Sequence, residues 1–134
     1  MAELNLIDPV AEANQLANLF YALSQTIDDL RVGGTLTGAT PQDLARLKDE
    51  AQALDDRAHY FTAQAIGATL ENLEGDLQNI KTVTAEAKSQ LGVLNSVAKV
   101  ISIATSALSL GTAIAAGNPG SILAAAGALA QTMA

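Results

Sequence analysis

The only histidine of the chain, His59, stands near acidic residues at helical spacing, and this group is the first place to look for chemistry. In a helix Asp55 lies one turn before His59, and Asp56 lies three residues before it. Glu71 and Glu74 could add oxygens to a metal site of the kind that Glu-x-x-His motifs build in helical bundles. Because there is one histidine and no paired motif, the spacing favours an ion pair on a helix surface. We expect no metal and no cofactor.

Two further patterns that could support catalysis are incomplete. Residues 33–38 have the glycine spacing that opens a phosphate-binding loop, and Thr40 fits its hydroxyl position, but Ala39 stands where the lysine should be, so a turn is predicted. Serine and threonine are frequent, but none forms a recognisable motif with the histidine. The chain also has no cysteine, which excludes disulfides and thiolate chemistry. We therefore expect that the protein is not an enzyme.

The charged residues occupy only part of the chain. All fourteen acidic and seven basic residues lie in the first 99 positions, and the net charge is -7. This distribution divides one domain into an amphipathic region, residues 1–99, and an uncharged, alanine-rich region, residues 100–134. A net negative charge repels nucleic acid and anionic lipid headgroups alike, so we expect no nucleic-acid partner and only apolar affinity for a bilayer. The acidic pairs are predicted to form a solvated face: Asp28-Asp29, Asp49-Glu50 and Asp55-Asp56.

The elements that position these residues are predicted to be helices. Alanine and leucine dominate, aromatic residues are scarce and tryptophan is absent, which favours an all-α fold. Asp8 followed by proline predicts the start of a first helix over residues 9–31, which Gly33-Gly34 ends. Thr40 followed by Pro41 predicts the second start.

Between Pro41 and Pro119 there is no proline, and the apolar spacing alternates between three and four residues, with a shift of one residue near Ala65 and Ile66 that indicates a local bend or a break. This heptad pattern predicts one very long helix or two collinear helices, in a bundle or a rod, with Gly67, Gly75 or Gly92 as joints. A seam of this kind is typical of helices that pair between copies, so we expect a homo-oligomer. The predicted seam consists of Ile66, Leu70, Leu73, Leu77, Ile80, Leu91 and Leu94.

The uncharged region contains a strong turn signal at residues 116–121, which predicts a helical hairpin with arms at residues 100–116 and 121–134. As helices the arms would be ~26 Å and ~21 Å long, against a hydrocarbon core of ~30 Å. Small residues at four-residue spacing would permit close helix contact in lipid or in protein. The residues expected to pack or to enter a membrane are Ile103, Ala107, Leu108, Leu110, Gly111, Ile114, Ile122, Leu123 and Leu129.

The predicted architecture, long helices that carry an apolar hairpin, is similar to that of α-helical pore-forming toxins. This resemblance implies a membrane-active, oligomerising protein that inserts its hairpin into a bilayer, with Ile103, Leu108, Leu110 and Ile114 meeting lipid. The alternative is a structural or scaffolding subunit whose hairpin packs into neighbouring copies in a rod, ring or filament. A small regulatory bundle that binds a helical protein partner is a third reading.

The first five residues lack both the basic and the apolar stretch of a secretory signal. We therefore expect a protein that is synthesised soluble in the cytoplasm. From there it would associate with a membrane or leave by a signal-independent route.

Overall fold

The computed structural model of the protein describes residues 8–34, 36–73 and 75–134. These residues form six helices and no strand, and 84% of them are helical, which confirms the predicted all-α class. The helices are α1 (Pro9–Gly33), α2 (Pro41–Tyr60), α3 (Ala63–Asn72), α4 (Leu77–Leu91), α5 (Val97–Ala116) and α6 (Pro119–Met133).

The first two helices begin at their predicted capping residues. The Asp8 side chain accepts hydrogen bonds from two backbone N–H groups in the first turn of α1, and α1 ends at Gly34, whose φ of 70° is left-handed. At the start of α2, Thr40 Oγ1 accepts from the Asp43 backbone N–H at 3.1 Å, and Asp43 Oδ2 accepts from the Thr40 N–H at 3.1 Å. This reciprocal box satisfies N–H groups that a helix start otherwise leaves free.

The predicted long helix after Pro41 is wrong, because residues 41–116 form four helices and the chain folds back on itself. Gly75 and Gly92 do lie at breaks between helices, whereas Gly67 lies inside α3. The unexpected break comes at Phe61 and Thr62, and two interactions favour it. The Phe61 ring packs edge-on against Phe20 of α1, with centroids 5.1 Å apart, and Thr62 caps α3. A straight helix through residues 61 and 62 would lose both the Phe61–Phe20 contact and the Thr62 cap.

Helices α1 and α5 hold the bundle together, because each packs against several others. α1 contacts α2, α3, α4 and α5, and α5 contacts α2, α4 and α6 as well. The core between them contains apolar side chains from all six helices, the largest being Phe20, Phe61, Leu16, Leu23, Ile27, Leu47, Leu54, Ile66, Leu70, Leu73, Ile80 and Leu91. α6 lies at the edge of the bundle, where it packs mainly on α5 and α4.

Close contact between α5 and α1 depends on one glycine. A Cβ atom at Gly111 would lie 2.8 Å from Phe20 Cε2, much nearer than real Cβ contacts allow. The absence of a side chain at Gly111 therefore lets α5 approach the Phe20 ring of α1, which also packs against Phe61.

Two polar connections tie distant segments to each other. Lys81 Nζ of α4 donates to Glu12 Oε1 at 2.6 Å and to Gln15 Oε1 at 2.7 Å, both on α1. The Thr37 backbone N–H in the α1–α2 loop donates to the Asn95 carbonyl oxygen at 2.7 Å. This second bond attaches the loop that precedes α5 to the loop between α1 and α2.

Candidate functional site

The two C-terminal helices, α5 and α6, whose one charged side chain is Lys99, form what we call the C-terminal pair. Gly117, with a φ of 82°, ends α5, and the Asn118 side chain caps the first turn of α6. The far end of α6 returns to the first half of α5, where Ser106 Oγ and Thr132 Oγ1 share a hydrogen bond of 2.9 Å. Lys99 Nζ also donates to the Thr132 carbonyl oxygen. The two helices therefore run antiparallel.

Within the described residues, α5 is the one helix that is long and apolar enough to cross a membrane, by length and composition alone. It has 20 residues, and 39% of its most apolar window is buried in the bundle. The core helix of a soluble protein can pass the same test, but such a helix is mostly buried. α6 has 15 residues and is shorter than a bilayer core requires.

Most residues predicted to enter a membrane are buried in this conformation. The buried set is Ile103, Ala107, Leu110, Gly111, Ile114, Ile122 and Leu129. Leu108 is half-buried, and Leu123 is 41% exposed. Contact of Ile103, Leu110 and Ile114 with lipid stays a prediction, and it requires a state in which these side chains leave the core.

The exposed surface of the C-terminal pair contains no charged residue, and Lys99 is half-buried. On α5 the exposed residues are three hydroxyl residues, Ser102, Ser109 and Thr112, and two alanines, Ala98 and Ala116. On α6 most exposed residues are small or apolar, namely Leu123, Ala124, Gly127, Ala128 and Ala130, and the others are Gly120, Ser121 and Gln131. The pair thus presents hydroxyl residues on α5 and a mostly apolar surface on α6.

The predicted oligomer seam lies inside the single chain. Ile66, Leu70, Leu73, Leu77, Ile80 and Leu91 are buried, and Leu94 is half-buried. Their partners are the chain's own helices, since α3 and α4 both pack against α1. Pairing between copies through this seam stays a prediction, and it too requires the bundle to open.

Polar contacts hold the C-terminal pair against the rest of the bundle. Thr105 Oγ1 of α5 donates to Glu50 Oε2 of α2 at 2.5 Å and accepts from Arg46 Nη2 at 3.2 Å. Gln90 Nε2 of α4 donates to the Met133 carbonyl oxygen at 3.3 Å. That bond satisfies a carbonyl group that the end of α6 would otherwise leave free.

Glu50 is the residue that sequence reasoning missed. It was predicted to lie on a solvated face, but it is only 8% exposed, and its Oε1 has no hydrogen-bond partner among the described residues. The signal was its position, because Glu50 follows Leu47 by three residues and precedes Leu54 by four. All three therefore share one face of α2, which the core covers.

The histidine group has the geometry of a helix surface. The His59 side chain is 75% exposed, its Nδ1 lies 2.9 Å from the Asp55 carbonyl oxygen, and the same nitrogen lies 3.7 Å from Asp55 Oδ2. Residues 8–34, 36–73 and 75–134 contain no group of three or more side chains placed to hold a metal ion. Glu74, considered above as a possible ligand, lies outside the described residues.

The C-terminal pair brings three structural features together. It combines a mostly uncharged pair of helices, a partly buried apolar span and a few polar contacts at its border. Comparison with known proteins found no matching family model, no matching curated protein and no matching solved structure.

Proposed function

We propose that this chain is a membrane-active helical protein whose C-terminal pair leaves the bundle and inserts into a bilayer. The observation that carries the proposal is α5, the one described helix that is long and apolar enough to cross a bilayer. At ~1.5 Å per residue, its 20 residues span ~30 Å, the thickness of a hydrocarbon core. Lys99, near its first turn, can extend to the headgroups.

The composition of the pair supports its insertion as a unit. Residues 100–134 contain no charged side chain whose dehydration would oppose entry. Helix contact in lipid relies on small side chains and on hydroxyl hydrogen bonds, and the Ser106–Thr132 bond is of this kind. α6, at ~22 Å, is too short to span alone, so it would enter alongside α5 with local thinning of the bilayer.

Departure of α5 would also link insertion to assembly. α5 covers apolar side chains of α1 and α2, and its removal would expose them together with the neighbouring seam on α3 and α4. Newly exposed apolar surface favours association between copies. Oligomerisation would then follow release of the pair, and the hydroxyl face of α5 would line the wet side of the assembly.

A second candidate, a scaffolding subunit, is favoured by the apolar outer face of α6. Leu123, Ala124 and Gly127 are exposed in the closed bundle, so neighbouring copies could pack there without any rearrangement. This alternative predicts assembly in lipid-free buffer and no effect on vesicles.

Dye release from phosphatidylcholine vesicles tests the proposal, with Leu123→Arg as the decisive variant. An arginine costs about 2.5–3.5 kcal/mol at the middle of a membrane helix on insertion scales, and the cost falls toward the ends, so Leu123 near the start of α6 should carry part of it. Leu123 is 41% exposed, so the closed bundle should tolerate the substitution. Val32→Arg is the matched control, because Val32 is 74% exposed on α1 and the charge change is identical.

We expect the unmodified protein and Val32→Arg to release dye, and Leu123→Arg to release far less. Release that Leu123→Arg retains in full would show that the pair does not insert. If the unmodified protein releases no dye and instead sediments as large assemblies without lipid, the scaffolding alternative is correct.

A further inference from the structure

We infer that the hydrogen bond between Thr105 and Glu50 is a latch that holds α5 on α2 and controls release of the C-terminal pair. The inference rests on the proposed function, because it names how the closed form is regulated. Among the described residues, Thr105 is the one α5 side chain that hydrogen-bonds to any of α1–α4, and both of its partners, Arg46 and Glu50, belong to α2.

The latch is unusual because it buries a carboxylate against the most apolar helix of the chain. Glu50 Oε2 accepts from Thr105, and Arg46 Nε lies 3.8 Å from the same oxygen. The other oxygen, Oε1, is buried without a partner among the described residues. Burying a carboxylate opposes folding unless its oxygens are hydrogen-bonded. In Glu50 only Oε2 has a hydrogen-bond partner among the described residues.

Two opposing effects therefore meet at one contact. While α5 is docked, the hydroxyl of Thr105 compensates part of the dehydration of Glu50 and keeps α5 in register with α2. Once α5 departs, water can hydrate both oxygens of Glu50, which favours the released state. Docking of α5 thus includes a contact whose strength depends on the Thr105 hydroxyl, because Thr105 is the neutral donor to Glu50. A pair of apolar residues at these positions would lack that dependence.

The two partners should consequently respond to substitution with opposite signs. Thr105→Val removes the donor and leaves a buried carboxylate short of a hydrogen bond, so it should favour release. Glu50→Leu removes the charge itself and fills the space with apolar atoms, so it should hold α5 more firmly. The freed Thr105 hydroxyl can bond to the carbonyl of its own helix one turn earlier.

Docking can be measured without lipid by spin labels, because the chain has no cysteine of its own. Labels on Asp49→Cys in α2 and Ser109→Cys in α5 occupy exposed positions and report the distance between the helices. Dye release from phosphatidylcholine vesicles then reports release of the pair. The control is Thr112→Val, which makes the same change of side chain at an exposed α5 position.

We expect Thr105→Val to lengthen the label distance in a substantial fraction of molecules and to speed dye release by about ten- to hundredfold, as for loss of a hydrogen bond to a charged group. Thr112→Val and Thr105→Ser, which keeps the donor, should match the unmodified protein. Glu50→Leu should slow release, and combined with Thr105→Val it should cancel the acceleration.

The two readouts separate failure of the latch from failure of the proposed function. If Thr105→Val matches Thr112→Val in both label distance and dye release, the latch is refuted while membrane activity stands. If the label distance lengthens as expected but no variant releases dye, docking through Thr105 is supported and the membrane-active function is refuted. Should Thr105→Val lose its helical circular dichroism, the slower release of Glu50→Leu decides the matter alone.

Discussion

At the scale of single residues, Gly111 shows how one missing side chain sets the distance between two helices. The Phe20 ring occupies the space that a Cβ atom at this position would need, and Phe61 packs against the same ring in a T-shaped arrangement. Gly127 of α6 offers the contrast, because a Cβ atom there would meet nothing within 4 Å. The two glycines lie inside neighbouring helices, but packing requires a glycine only at position 111.

We predict that Gly111→Ala destabilises the protein by about 1–3 kcal/mol, because a buried aromatic ring would have to shift. Gly127→Ala should instead stabilise it by about 0.5–1 kcal/mol, since alanine is the better helix former at an open position. Urea unfolding followed by circular dichroism measures both values. Equal effects at the two positions would show that the α1–α5 contact tolerates a methyl group.

At the scale of elements, helix starts depend on local interactions and helix breaks depend on distant ones. Asp8 and Thr40 cap the next turn of chain, so their role can be deduced from a few neighbouring letters. The break at Phe61 depends on Phe20, and the burial of Glu50 depends on Thr105, which lies 55 positions later. For Glu50 the available signal was its position between Leu47 and Leu54 on the apolar face. For the break, the apolar pattern shifts by one residue near Ala65 and Ile66, but periodicity alone could not place the break at Phe61.

The same distinction explains what could be predicted about the candidate site. The uncharged character of residues 100–134 and the turn near residue 118 are properties of composition, and both were visible in the sequence. The sequence did not show which face of α5 is buried, because hydroxyl and aliphatic residues such as Ser102, Ile103 and Thr105 follow one another closely. Packing against the other helices determines the buried face. The inward side proved to be the aliphatic one.

We predict that Thr40→Ala lowers the free energy of unfolding by about 0.5–2 kcal/mol, because it removes half of the capping box that starts α2. Thr82→Ala is the control, since Thr82 is exposed within α4 and caps no helix. Thermal unfolding followed at 222 nm compares the two. A loss at Thr82 as large as that at Thr40 would contradict a special role for the cap.

At the scale of the whole molecule, the separation of charge gives the protein two unlike surfaces. Every ionisable side chain belongs to the first 99 residues, where acidic groups outnumber basic groups two to one. The C-terminal pair contains a single charged side chain, the half-buried Lys99. Approach to another negative surface is therefore resisted everywhere except through that pair.

We predict that the protein binds phosphatidylcholine vesicles better than vesicles that contain phosphatidylserine when salt is low. Raising the ionic strength should reduce the difference, because the screening length falls from ~10 Å at 0.1 M salt to ~3 Å at 1 M. Co-flotation on a density gradient measures the bound fraction. Tighter binding to the anionic vesicles at low salt would indicate that basic residues, and not the neutral helices, govern attachment.

The central position of α5 also has a consequence for biosynthesis. α1 leaves the ribosome before α5, the helix that covers its Phe20 side, and three other helices are translated between them. At ~5–20 residues per second, the nascent chain waits several seconds with that apolar surface uncovered. Chaperones that recognise exposed apolar segments would have this interval in which to bind. Chains whose translation stops before α5 would never bury the surface, and cellular proteases would remove them.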